Sequence, residues 1–224
     1  MWRRLFKGKK KEDAMKDNLI IWDWNGTLLN DVDWGIEVMN TMLKKRSLPL
    51  LNSRADYHRV FTFPVIEYYR NVGLDFEKDS FEELAEEYIM LYYGKSKDKC
   101  VLQKNAEYVL NVLKDKGMTQ VILSASQQEH LVRQVADYGV ENYFEALLGI
   151  SDIYANSKIE AGLQYLKRKS FERIVLVGDS LHDCETARVL GAACMLIANG
   201  HQSRDTLLTS GECVLEDIMD IVSL

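Results

Sequence analysis

Residues 19–31 read LIIWDWNGTLLND: four apolar residues, an aspartate and then a glycine turn. A short apolar run closed by turn residues predicts a buried strand, and this one delivers Asp23 at its C-terminal end. Two positions on stands Asn25, where a phosphate-transfer site built on a strand end would pair two carboxylates. The sequence therefore poses its functional question at one position: what chemistry is open to a site built on Asp23 with a carboxamide at 25?

Runs of the same kind recur at TQVILSAS (119–126), EALLGI (145–150), RIVLVGDS (173–180), ACMLIANG (193–200) and ECVLED (212–217). Helical patterns lie between them: NAEYVLNVLKDKG (105–117) and QEHLVRQVADYG (128–139), each closing on glycine, then IEAGLQYLKRK (159–169) and HDCETARVLG (182–191). Glycine just past the last periodic residue is a helix C-terminal signal. Strand and helix in alternation predict an α/β fold, a doubly wound parallel sheet with helices on both faces. In such sheets ligands bind outside the carboxyl ends of the strands.

Residues 30–101 break the rhythm. They hold both prolines, Pro49 and Pro64, and no strand pattern, and DVDWGIEVMNTMLKKRSL, YHRVFTFPVIEYYRNVG and SFEELAEEYIMLYYGKS all have helical spacing. In the last, Phe81, Leu84, Ala85, Tyr88 and Tyr92 fall on one stripe, which reads as core. The expected organisation is a basic N-terminal tail (1–18), an α/β core (19–29 and 102–224) and a small all-helical cap (30–101) inserted after the first strand. A cap placed there can close over a site and set substrate choice.

Composition bounds the possibilities. The 224 residues carry 47% hydrophobic and 28% charged residues with a net charge of −6, an ordinary globular balance without the basic excess of a nucleic-acid binder. Cys100, Cys184, Cys194 and Cys213 show no metal-ligand spacing, so reduced thiols and a cytoplasmic location are the expectation. No apolar stretch is long enough to span a membrane. The opening MWRRLFKGKKK offers a contact for an anionic membrane surface or an acidic partner; a solvated tail is the simpler reading.

At the predicted strand ends stand Asp23, then Ser124, then Lys158 at the start of the following helix, then Asp179 and Asp183. One such aspartate is ordinarily a turn or cap residue. Together they converge on one crevice, where three carboxylates repel unless a cation binds among them. Hard oxygen donors with open positions suit Mg²⁺, which takes substrate phosphate oxygens as ligands; one lysine and one hydroxyl suit the remaining phosphate oxygens.

The ordered set DWNGT (23–27), LSAS (123–126), NSK (156–158) and GDSLHD (178–183), with a helical insert after the first, resembles the haloacid dehalogenase superfamily. Within it, the chain is most similar to the phosphoglycolate-phosphatase-like branch with a helical cap. The resemblance runs over residues 19–220. It implies an Mg²⁺-dependent phosphatase acting on a small phosphorylated metabolite, as a monomer or homodimer. It implies Asp23 as nucleophile and metal ligand, and Asn25 as metal ligand through its backbone carbonyl. Asp179 would ligate the metal directly, and Asp183 would hold its waters or neighbouring groups. Ser124, with the backbone N–H of Ala125, would bind the phosphoryl oxygens, and Lys158 would offset the charge on Asp23 and the phosphate.

Asn25 departs from the family pattern, in which a second carboxylate protonates the leaving oxygen and later activates water. A carboxamide donates and accepts hydrogen bonds but transfers no proton. General acid–base catalysis is typically worth ~10²–10⁴-fold, so alkyl phosphates are expected to react slowly and leaving groups that need no proton to suffer less. Two other readings compete: a phosphonate-cleaving hydrolase, for which Lys44 or Lys45 would have to form a Schiff base, and a catalytically weak phosphate- or protein-binding module. Asp183 also reads as a helix N-cap, His182 and His201 as solvated or hydrogen-bonded loop residues, and His58, Tyr68 and Tyr69 as cap packing.

Overall fold

The computed structural model describes residues 18–150 and 157–223; the basic tail expected at the N-terminus lies outside them. Strand β1 (Asn18–Trp22) is followed by the two-residue β2 (Leu29–Asn30) and helices α1 (Val32–Lys45), α2 (Arg54–Val60), α3 (Val65–Asn71) and α4 (Phe81–Lys99). Then come β3 (Val101–Leu102), α5 (Ala106–Asp115), β4 (Thr119–Gln127), α6 (Gln128–Asp137) and β5 (Ala146–Ile150). The chain continues through α7 (Ser157–Leu166), β6 (Arg173–Gly178), α8 (Leu181–Leu190), β7 (Ala193–Ile197), α9 (Arg204–Leu208), β8 (Cys213–Leu215) and α10 (Asp220–Ser223).

Six strands form one sheet in the order β5-β4-β1-β6-β7-β8, every pair parallel. Side chains alternate across a strand, and β1 shows why helices cover both faces. Ile20 and Trp22 pack with Val109, Leu110 and Leu113 of α5 and Leu131 and Val135 of α6. Leu19 and Ile21 face the other way, into a cluster with Cys184, Ala187 and Leu190 of α8. A strand buried on both faces reads as a continuous apolar run rather than an alternating one. The chain runs from β1 through β4 to β5 on one side, then returns to build β6, β7 and β8 on the other. The reversal puts β1 at the topological switch point, where open α/β sheets bind their ligands.

Helices α1 to α4 have a hydrophobic core of their own, built on Met39, Met42, Leu43, Tyr68, Tyr69 and Leu84. The stripe expected along α4 is there: Phe81, Leu84, Ala85 and Tyr92 are buried and Tyr88 packs against them. A capping box starts that helix, with Ser80 N–H donating to Glu83 Oε2 at 3.0 Å and Glu83 N–H to Ser80 Oγ at 3.2 Å. Two features differ from the sequence reading. YHRVFTFPVIEYYRNVG is two helices, because Pro64 has no N–H to continue a helix and instead precedes α3 as its N-cap. At the edges of the helical insert, β2 and β3 pair antiparallel, Leu29 with Leu102 and Asn30 with Val101. Two-residue strands carry no readable alternation, so this ribbon joining both connections of the insert is visible only once the ends meet.

Truncating Leu84, wholly buried in the insert's core, tests that packing. Leu84→Ala is expected to lower the unfolding free energy by about 2–5 kcal/mol, read from urea titration; a loss below about 1 kcal/mol would contradict the packing described.

Candidate active site

The carboxyl ends of β1, β4 and β6 and the start of α7 deliver their polar residues to one place. The Lys158 ammonium donates to Asp23 Oδ1 at 2.6 Å and to Asp183 Oδ1 at 2.7 Å, and all three side chains are buried. One carboxylate oxygen from each of Asp23, Asp179 and Asp183 lies within 4.8 Å of the others. Asp179 Oδ1 accepts from the Thr27 hydroxyl at 3.3 Å and Oδ2 from the His201 backbone N–H at 2.5 Å. The remaining oxygen of Asp23, Oδ2, has no hydrogen-bond donor among the described residues. Three buried carboxylates against one ammonium leave net negative charge in a dry site, and an all-oxygen donor set of this kind fits a hard divalent cation.

Close backbone approach makes this geometry possible. Gly26 has φ +76, and a Cβ there would lie 2.2 Å from Asp179 Oδ2. At Gly200 a Cβ would lie 2.0 Å from the same oxygen, and at Gly178 it would meet the Asp183 carboxylate at 2.2 Å. Only glycine lets the three loops crowd around these carboxylates.

Asp183 is not the N-cap that its position after a strand suggested. It is the third residue of α8, and its Oδ2 accepts from the backbone N–H of Asp179, the N–H of Ser180 and the Ser180 hydroxyl at 3.2, 3.1 and 2.6 Å. With Oδ1 on Lys158, both its oxygens are committed, so it organises the loop and the lysine. Ser124, at the irregular end of β4, is buried and accepts from Ser126 N–H at 3.1 Å. Ser124 and Ala125 both line the cavity above Asp23.

Asn25 sits in a network that the sequence did not reveal. Its Nδ2 donates to Asp31 Oδ2 at 2.8 Å and to the Tyr92 hydroxyl at 2.9 Å, and its Oδ1 accepts from the Ser126 hydroxyl at 2.8 Å. Asp31, buried, also accepts from Tyr92 OH at 2.6 Å and Gly26 N–H at 2.8 Å. Its Oδ1 pairs with His201 Nε2 at 3.3 Å, and His201 Nδ1 meets the Tyr57 hydroxyl at 2.6 Å. Of the two readings for His201, solvated or hydrogen-bonded, the structure has the second, with Asp31 and Tyr57 as its partners, and His182 stacks on Phe63 with ring centroids 4.5 Å apart. Asp31 and Tyr92 passed unnoticed because an aspartate before a helix and a tyrosine on a helix stripe each have an ordinary structural use.

Burial works against every charge in the site; it prevails at Asp23 and Asp179 and is overcome by a charged partner at the others. It pushes Asp23 up to about 8, against the lowering by Lys158 and with further raising by Asp183 and Asp179. Asp179 is raised to about 6, chiefly by burial, although His201 opposes it. Burial would also raise Asp183, but the Lys158 ammonium holds it below the ordinary carboxylate range; burial would depress Lys158, but Asp183 and Asp23 hold it protonated. His201 behaves likewise: burial lowers it, Asp31 outweighs burial, and the imidazolium persists to about 9, while Asp31 is held low by the same pair.

The insert supplies the roof. A cavity of about 220 Å³ lies between it and the strand ends, lined by Asp23, Ser124 and Lys158 below and by aromatic residues of α2 to α4 above. Phe61 stacks on His201 with centroids 5.1 Å apart, and His58 Nε2 lies 3.1 Å from Gly200 O. Lys44 and Lys45 are exposed at the far end of α1, Lys45 paired with Glu87 at 2.9 Å, and neither lines the cavity.

Comparison with known proteins identifies the family and the fold. A family model described as haloacid dehalogenase-like hydrolase matches residues 20–197. The phosphoglycolate phosphatase of Haemophilus influenzae is 26% identical over 138 residues, which cover 59% of this chain and 62% of that relative. A haloacid dehalogenase-like family hydrolase from Streptococcus pneumoniae superposes with a TM-score of 0.79 at 19% identity, covering 93% of this chain and 98% of its own. A predicted phosphatase from Clostridium acetobutylicum gives 0.76 at 16%, covering 92% and 99%. At these identities the solved structures speak for the fold.

The charges predict how stability depends on pH. Asp23 and Asp179 hold protons more tightly folded than unfolded, so each withdraws stability as pH rises from the ordinary 3.8 to about 8 and about 6. His201 contributes stability that is complete below 6.5 and lost as pH rises through about 9. Asp31 and Asp183 oppose them only in acid, their contribution being present above 3.8 and lost as pH falls below it. In chelator, the melting temperature is expected to fall steadily from pH 5 to pH 9, with His201→Asn showing a shallower fall above pH 6.5 that levels off once the pH passes about 8, where Asp23 ionises; a flat or rising profile in the native protein would contradict these charge states.

Proposed function

The chain belongs to the haloacid dehalogenase-like hydrolase family, and from that membership we propose that it is a Mg²⁺-dependent phosphomonoester hydrolase acting on a small phosphorylated metabolite. The observation that carries the reading is Asp23, a residue of the cavity lining whose Oδ1 is fixed by Lys158 at 2.6 Å while Oδ2 has no hydrogen-bond donor among the described residues. A carboxylate oriented through one oxygen and free at the other is arranged for in-line attack at phosphorus.

In this reading Asp23 Oδ2 attacks the phosphoryl group, the bond to the leaving oxygen breaks, and an aspartyl-phosphate forms. Water then attacks the same phosphorus and returns the Asp23 carboxylate. Ser124 and the Ala125 N–H hold the phosphoryl oxygens, and Lys158 balances the charge shared between Asp23 and the phosphate. Asp23, Asp179 and the Asn25 carbonyl would hold Mg²⁺, which would neutralise phosphate charge and keep Asp23 ionised. Asp183 positions Lys158 and the loop carrying Asp179.

Asn25 hydrogen-bonds without moving a proton, so the leaving group must depart largely unassisted. This slows alkyl phosphates and spares acyl phosphates such as acetyl phosphate. The phosphonate reading loses support because its Schiff base needs a lysine from the insert, and Lys44 and Lys45 stand away from the cavity.

The test is phosphate release from acetyl phosphate and phosphoglycolate, with and without Mg²⁺. Asp23→Asn is expected to abolish turnover, and the native protein to favour acetyl phosphate. Asn25→Asp would set a carboxyl against Asp31 where an amide now donates at 2.8 Å, so the single change is expected to cost stability. Asn25→Asp combined with Asp31→Asn restores a donor–acceptor pair and is expected to raise phosphoglycolate turnover by ~10²-fold or more. Turnover that survives Asp23→Asn would overturn the mechanism.

A further inference from the structure

The cavity above Asp23 discriminates by charge. All twelve lining residues between positions 57 and 93 are uncharged, nine aromatic and three aliphatic. The lining cations are already engaged: Lys158 by Asp23 and Asp183, His201 by Asp31. A substrate carrying a carboxylate besides its phosphate, as phosphoglycolate does, would bury that charge with no free cation among the described lining residues, an expensive arrangement. A flat apolar ring instead meets faces and edges suited to stacking. The volume is adequate: roughly 150 Å³ of apolar cavity accommodates benzene, and about 220 Å³ is present here.

Asn25 points the same way through different physics. Without a proton donor the leaving oxygen must carry its own negative charge, and a phenol, at about 10, does so far more readily than an aliphatic alcohol, which holds its proton much more tightly.

We infer that the substrate is an aryl phosphate, a phosphate monoester whose leaving group is an uncharged aromatic alcohol. This rests on the phosphatase reading above and names its substrate class. Asp23 Oδ2 forms its bond to phosphorus as the phosphorus–aryl oxygen bond breaks; the electron pair leaves with the phenolate, which takes a proton from solvent. Water then displaces Asp23 and releases inorganic phosphate.

Calorimetric titration of Asp23→Asn with Mg²⁺ present, using phenyl phosphate, phosphoglycolate and inorganic phosphate, separates the contributions. Phenyl phosphate is expected to bind at least ~10-fold tighter than either. Ile89→Lys, which places a cation in the lining, is expected to reverse the preference toward phosphoglycolate; Val65→Lys repeats the test from the neighbouring helix if the first variant does not fold. Phosphoglycolate binding as tightly as phenyl phosphate, or phenyl phosphate binding no better than inorganic phosphate, would overturn the inference. Acetyl phosphate turnover by the native protein reports separately on the phosphatase reading. If turnover is absent while the aryl preference persists, only that reading fails; if turnover is present without aryl preference, only the substrate class fails.

Discussion

One buried ammonium holds this site together. Lys158 bridges Asp23 from the end of β1 and Asp183 from the start of α8, at 2.6 and 2.7 Å, and so ties together segments 135 and 25 residues away from it. Desolvating an ion costs several kcal/mol, recovered only where geometry and hydrogen bonding are good. The three-way contact meets that condition for Asp183, whose oxygens are both engaged, and leaves Asp23 with one oxygen to spare. Two carboxylates facing a single lysine thus acquire different tasks from their surroundings.

A second network fixes the residue that sets the chain apart from the family pattern. Asp31 is the acceptor for Asn25, Tyr92, Gly26 and the His201 imidazolium. A carboxylate at position 25 would face Asp31 at hydrogen-bonding distance, where like charges repel. The amide is therefore demanded by its neighbour, and Asn25 belongs to an alternative arrangement of charge rather than being a single missing acid. His201 joins this network to the aspartate cluster, because its ring pairs with Asp31 while its backbone N–H reaches Asp179.

The helical insert completes the site through aromatic packing. Phe61 on His201 and Phe63 on His182 bring rings of the insert onto histidines of the α/β core, so the surface that closes the cavity is continuous with the insert's own hydrophobic core. The cavity lining and the insert's core therefore share residues, Tyr68 and Tyr69 among them.

The strand–helix alternation, the sheet with its buried first strand, the helical insert and the convergence of Asp23, Ser124, Lys158, Asp179 and Asp183 on one crevice were legible in the sequence. Each is a local signal: an apolar run, a helical period or a polar residue at a strand end, and parallel strands bring their carboxyl ends to one edge whatever the details of packing. The Asp31–His201 pair, the β2–β3 ribbon and the uncharged lining of the cavity were decided by tertiary structure alone. Asp31 and His201 lie 170 positions apart, and periodicity marks a stripe as apolar without saying whether it faces a core or a substrate. Asn25 shows both limits, since its place two residues after Asp23 was plain from DWNGT, whereas the surroundings of the amide exist only where Asp31, Tyr92 and Ser126 meet it in space.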